Sequence, residues 1–202
     1  MVESGARGRT RWGRFAMALA AGGLGVGVLM FGMSSGALAA SFTVAGTSFK
    51  ASADGLEGTG FVQYGSVDRS ADKAHPVAVN GMRTAKLDNF CQSMVVPGLP
   101  GVGEVTVKIT AGGEGGMTAE NLVINLEELN ADLTLGNAQI GVDAGQLSKG
   151  PEGAVGTAGT LGLQADTIRL GALRQTAWST TASTLRFKGM KLDVFSGRNE
   201  CF

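Results

Sequence analysis

The chain has 202 residues, with 17 Lys and Arg balanced by 17 Asp and Glu, one His, two Cys, and 33 Gly against four Pro. Neither sign of charge is clustered, which excludes the basic footprint of a nucleic-acid or anionic-headgroup binder, and irregular glycine spacing excludes a collagen-like repeat. A single imidazole and two distant thiols exclude multi-histidine and Cys-x-x-Cys metal centres.

Arg7, Arg9, Arg11 and Arg14 come first, followed by an uncharged apolar run from Phe15 to Met33 and then Ala37-Leu38-Ala39. This is the order of a bacterial secretory signal: a cationic segment, an apolar helix-former, and small residues where a signal peptidase must fit them. Residues 1–39 are expected to be removed after Ala39, leaving 40–202 as one exported domain. The apolar run is close to the roughly 20 residues of a spanning helix, so retention as a membrane anchor through residues 15–33 is the alternative. Gly22, Gly23, Gly25, Gly27 and Gly32 dilute its hydrophobicity and favour cleavage. Arg11 and Arg14 are not adjacent, which favours general secretion over the twin-arginine route. The leader holds four Arg and one acid, Glu3, so the remainder keeps 13 basic and 16 acidic residues, a net charge of about −3.

From Ser41 to Val67, apolar residues alternate with Gly, Ser and Thr: Phe42, Val44, Ala45, Phe49, Leu56, Phe61, Val62 and Tyr64 read as short strands. The polar stretch Asp68 to Ala74 reads as a loop or one helical turn, and Pro76 returns Val77 to Val79 to an extended path. Between Met82 and Met94 the apolar positions Leu87, Phe90, Cys91 and Met94 have helical spacing, which predicts a short helix with Cys91 on its inner face. Val105, Val107 and Ile109 alternate between glycine clusters, as a strand between loops does. Period two continues in Leu122-Ile124-Leu126, Leu133-Leu135, Ile140-Val142, Leu161-Leu163, Ile168-Leu170, Leu185-Phe187 and Met190-Leu192-Val194. A helix over Ala119 to Leu129, capped by Thr118, is the alternative there. A weak echo links Asn130–Gly136 with Gln164–Gly171, as duplicated hairpins, sequential rungs or convergent composition. The expected fold is mostly β: a single-domain sandwich, open barrel or flattened roll of short antiparallel strands, with at most one or two short helices.

Cys91 and Cys201 both fall in the exported part, where two thiols in one domain most often form a disulfide, here closing a loop of about 110 residues; two separate buried thiols are the alternative. No Gly-x-Gly-x-x-Gly or phosphate loop occurs, so no cofactor is expected, and no metal. Gly-x-Ser-x-Gly occurs once, at Gly32–Gly36 inside the leader, and not within residues 40–202, which argues against an α/β hydrolase. The densest set of catalytic residue types is Ser66, Asp68, Ser70, Asp72 and His75. There the imidazole would deprotonate Ser66 or Ser70, and Asp68 or Asp72 would orient it. The bland reading of the same residues is a solvated turn before a proline.

The Arg-rich leader, Ala74-His75-Pro76, Asp88-Asn89-Phe90-Cys91 and the carboxyl-terminal Glu200-Cys201-Phe202 resemble a family of small exported proteins of filamentous actinobacteria that carry the label cholesterol esterase. That resemblance implies hydrolysis of sterol esters, or of related lipids, into sterol and fatty acid. The residues alone point elsewhere, to a non-catalytic cell-envelope β-protein that binds a lipid or a membrane partner, because catalytic residue types are few and alternating strands many.

Overall fold

The computed structural model describes residues 46–70, 73–99, 101 and 103–202, so the leader, Phe42 and Val44 lie outside the described residues. Two long antiparallel hairpins build the fold. In the first, β1 (Phe49–Arg69) pairs with β2 (Ala74–Asp88) and then β3 (Phe90–Leu99) in one unbroken register, from Arg69↔Ala74 to Phe49↔Met94. Its turn is closed by the Ser70 amide on the Lys73 carbonyl at 2.9 Å. After β4 (Gly103–Ala111) comes the second, in which β5 (Met117–Gly136) pairs with β7 (Leu161–Thr181) and β8 (Thr184–Phe187). The short β6 (Gln139–Asp143) continues along the start of β7. β2 pairs with β5 and β7 returns to pair with the first residues of β1, so the path β1-β2-β5-β7 closes on itself. β3, β4 and β9 (Lys191–Ser196) extend the sheet as a flank ending at β9. The described chain is thus a nine-stranded antiparallel roll whose only helical element is the 3-10 turn Ala144–Gln146.

The strands are longer than their sequence suggests because two creases interrupt the alternation without ending the pairing. By register Gly60, Arg83 and Asn121 lie side by side across β1, β2 and β5, where no regular pair forms. Asp54, Asn89 and Ala172 make the second crease, across β1, the junction of β2 with β3, and β7. Gly60, Asn89, Asn121 and Ala172 have φ of 63°, 49°, 49° and 49°, left-handed values that Gly and Asn tolerate best. Each such residue rotates the strand, so side chains three apart on either side of it face the same way. Ala119 and Leu122, Leu87 and Phe90, and Leu170 and Leu173 are all buried for this reason. This corrects the predicted helix between Met82 and Met94, and it decides Ala119 to Leu129 for the strand reading against its helical alternative. Met82 to Met94 is strand bent at Asn89, and Ala119 to Leu129 is strand bent at Asn121; a creased strand imitates helical spacing. The echoed segments Asn130–Gly136 and Gln164–Gly171 are neither separate hairpins nor rungs but facing partners, with Leu133 opposite Leu170 and Leu135 opposite Ile168.

Inside the roll lie Leu56, Leu87, Leu122, Ile168 and Leu173, all fully buried, each stabilising by about 1.5–3 kcal/mol relative to exposure. A second, smaller cluster forms on the outer face, where the Ala144–Thr160 loop lays Ala144, Leu147 and Ala154 on Val62. Arg83 fastens this loop from the crease, donating from Nε to the Gly150 carbonyl and from Nη2 to the Ser148 carbonyl, both at 2.9 Å. Gln164 Oε1 accepts from the Ser148 and Lys149 amides, so the loop is held with no secondary structure of its own beyond the Ala144–Gln146 turn.

The carboxyl-terminal tail crosses the face of β3 and β4. Cys201 is bonded to Cys91, as expected, with Cα atoms 6.0 Å apart. Its amide donates to Ser93 Oγ at 3.0 Å, and Thr106 Oγ1 donates to the Gly197 carbonyl at 2.6 Å while accepting the Asn199 amide. Ser93 and Thr106 are buried by this cover. The bond points to an oxidising, extracytoplasmic setting.

Arg198 grips Glu104 through two hydrogen bonds, and this bonding, more than the charge itself, lowers the Glu104 pKa from its usual 4.5. A depressed carboxylate pKa stabilises the fold above the unfolded value and stops doing so as pH falls through the folded one. In thermal melts the wild type is therefore expected to exceed Glu104→Gln at pH 7, with the gap closing as pH drops below about 4. A gap unchanged by acid would show that the pair contributes nothing through its charge.

Candidate functional site

Of the five residues singled out by sequence, the β1–β2 hairpin tip brings two into contact. Ser70 Oγ lies 3.1 Å from His75 Nε2. Pairing puts Asp68 directly across from His75, yet its carboxylate turns to the second hairpin. Asp68 accepts both of its short contacts from Asn125 Nδ2, at 2.7 and 2.8 Å, and a longer one from Ser179 Oγ at 3.4 Å. Ser66 is exposed and pairs with Val77, and Asp72 lies outside the described residues.

The His75 ring is stacked on Trp178, centroids 3.7 Å apart and planes 27° from parallel. Trp178 reaches that position because β7 carries one extra residue there: Ser179 pairs with Asn125 and Ala177 with Leu126. A bulge of this kind re-aims a side chain that the regular pleat would point elsewhere. Trp178, Asn125 and Ser179 were not legible as site residues, since nothing in Ala-Trp-Ser-Thr-Thr marks a bulge. Together the stacked rings and the Asp68 contacts clasp the tip of one hairpin to β5 and β7.

Ser70 is also a turn residue. Its hydroxyl accepts the Lys73 amide at 3.2 Å and lies 3.3 Å from the Lys73 carbonyl, the local bonding by which Ser shapes a tight turn. Two depressions of the described surface lie away from the clasp. One of about 290 Å³ runs between Glu57, Lys86, Glu120 and Arg186, and one of about 440 Å³ lies under the Ala144–Thr160 loop beside Arg83 and Asn121.

A second surface is apolar. On the side of β3, β4 and β9 that faces away from the tail, register sets Met94, Val107 and Val194 in one row, and uncharged Gln92 with Ile109 and Leu192 in the next. Val96 and Val105 form the third row, across from Ser196. These side chains continue the inward face of the roll beyond its core, because Phe49, packed against the core, stands next to Met94. Met94, Leu192 and Val194 are 38, 54 and 62% exposed.

Neither the curated proteins nor the solved structures contain a match to this sequence. The chain belongs to a family of unknown function, DUF6230, which it matches over residues 45–202, the whole of the described roll from β1 to the tail.

Proposed function

We propose that this chain is a non-catalytic exported β-protein of the cell envelope, which binds a neutral lipid surface through the apolar face of β3, β4 and β9. One observation carries the reading: Met94, Leu192 and Val194 stand exposed in adjacent rows that hold no ionisable side chain. Contiguous exposed apolar surface marks a protein or membrane contact, and rows without charge suit a surface that offers no ionic partner. The leader's order and the Cys91–Cys201 bond support export, and an uncleaved run at residues 15–33 would keep the domain beside a bilayer. Three half-exposed side chains supply about 1 kcal/mol each on burial, so one copy binds weakly. Co-sedimentation with zwitterionic phosphatidylcholine vesicles is expected for the wild type and lost in Met94→Asp. Equal sedimentation with and without vesicles, or undiminished binding by the variant, would remove the proposal.

The Ser70–His75 contact favours a second reading, the sterol-ester hydrolysis implied by the resemblance, with Ser70 as nucleophile and His75 as its base. Against it, Asp68 is engaged by Asn125 and Ser179 instead of orienting the imidazole. Cholesteryl-ester turnover is expected to equal the buffer blank in wild type, His75→Ala and Ser70→Ala alike. Turnover present in the wild type and abolished in both variants would put the esterase in place of the binding protein.

A further inference from the structure

Among the described residues, the outer edge of β9 is one free end of the strand path β6-β7-β5-β2-β1-β3-β4-β9. The tail that follows turns back over the face of β4, with the Gly197 amide on the Glu104 carbonyl, and so does not close this edge. An open strand edge is a row of unpaired amides and carbonyls, a template for another strand. Along it Lys191 and Asp193 point to the tail side, in the rows of Thr110 and Lys108, while Leu192 and Val194 point to the apolar side.

From this edge we infer that β9 pairs antiparallel with β9 of a second copy, about a two-fold axis through Leu192. A two-fold axis perpendicular to the sheet keeps each face on its own side, so a residue can oppose only residues of its own parity. That leaves few registers. Centring on Lys191 sets Lys191 against Lys191, and centring on Asp193 sets Asp193 against Asp193. Like charges directly opposed destabilise a pair. Centring on Val194 puts Asp193 opposite Phe195 and leaves Lys191 without an acid. Only the register centred on Leu192 places Lys191 of each copy opposite Asp193 of the other, twice over, with Leu192 facing Leu192 and Val194 facing Met190. Met190 is 49% exposed, so all three outer positions of the apolar stripe, Met190, Leu192 and Val194, are available in each copy. Pairing in this register also lays the two apolar faces side by side in one continuous surface. The inference rests on the edge and its charges, not on the lipid reading, and stands whether or not that surface meets a bilayer.

Sedimentation of the purified full chain, disulfide intact and without vesicles, tests it. The expected result is a reversible dimer that weakens as salt is raised. Lys191→Asp and Asp193→Lys should each weaken it by about tenfold, because two attractive pairs become two repulsive ones, and the double variant should restore it. Leu192→Cys should form an interchain disulfide under mild oxidation, whereas Val194→Cys, facing Met190, should not. A monomer at every concentration, or a dimer equally strong in the single and double charge variants, would overturn the inference. None of the charge variants alters Met94, Leu192 or Val194, so vesicle binding and dimerisation can fail separately.

Discussion

Loss of the Cys91–Cys201 bond is expected to lower the unfolding free energy by about 4 to 5 kcal/mol. The size follows from the separation of 110 residues, which makes the closed loop long and its removal from the unfolded ensemble costly. Folded-state contacts change the figure less than they would for a free tail. The Arg198–Glu104 pair, the Asn199 amide on Thr106 and the Cys201 amide on Ser93 still hold the tail once the sulfurs are gone. Fraying that remains would return Ser93 and Thr106 to water, not leave them buried and unpaired, so it adds little. Urea unfolding of wild type and of the Cys91→Ala, Cys201→Ala double variant, followed by tryptophan fluorescence, gives the difference. Coincident midpoints would show that the unfolded chain is already compact enough for the bond to constrain nothing.

What could be read from the sequence was the strand content and the thiol pair, and the reasons are local. Val105, Val107 and Ile109 alternate because β4 is unbent, and the pleat alone sets their spacing. Leu87 and Phe90 misled because Asn89, an ordinary residue in sequence, adopts φ of 49° and turns both toward the core. The signal for a crease is spread over three strands, and no single stretch carries it. Gly60 announces itself only as a glycine, Arg83 as a charge and Asn121 as a helix-neutral polar residue; their alignment needs the register. The site was half legible for the same reason. Ser70 and His75 are five residues apart and meet through a tight turn, whereas Trp178, Asn125 and Ser179 come to the hairpin tip from the other end of the chain. The apolar face was visible as period two in Met190, Leu192 and Val194. That it stays uncovered depends on which side the tail crosses.

Creases also concentrate mutational sensitivity, and Gly60→Ala is the substitution expected to show it most. At φ of 63° an L-residue carries a backbone cost of about 1–2 kcal/mol. The added methyl would stand 2.6 Å from the Lys149 carbonyl oxygen and 2.7 and 2.8 Å from Cγ and Cδ of Arg83. Arg83 could swing aside only by giving up the Ser148 and Gly150 carbonyls it holds, and Lys149 O is backbone between those same two residues. Relief therefore comes from lifting the Ala144–Thr160 loop, which uncovers Val62 and its cluster. Strain and overpacking together are expected to cost about 2–4 kcal/mol. In urea the midpoint should fall with little change in slope, and amide exchange at Ser148 to Gly150 should quicken before the roll opens. Asn121→Gly, at the same crease with φ of 49°, serves as the comparison. There glycine relieves backbone strain but loses the Asn121 contact to Ser183 Oγ at 3.2 Å, so the change should be small. A Gly60→Ala protein with wild-type midpoint and exchange would mean that the crease yields freely, and that the left-handed residues follow the fold instead of setting it.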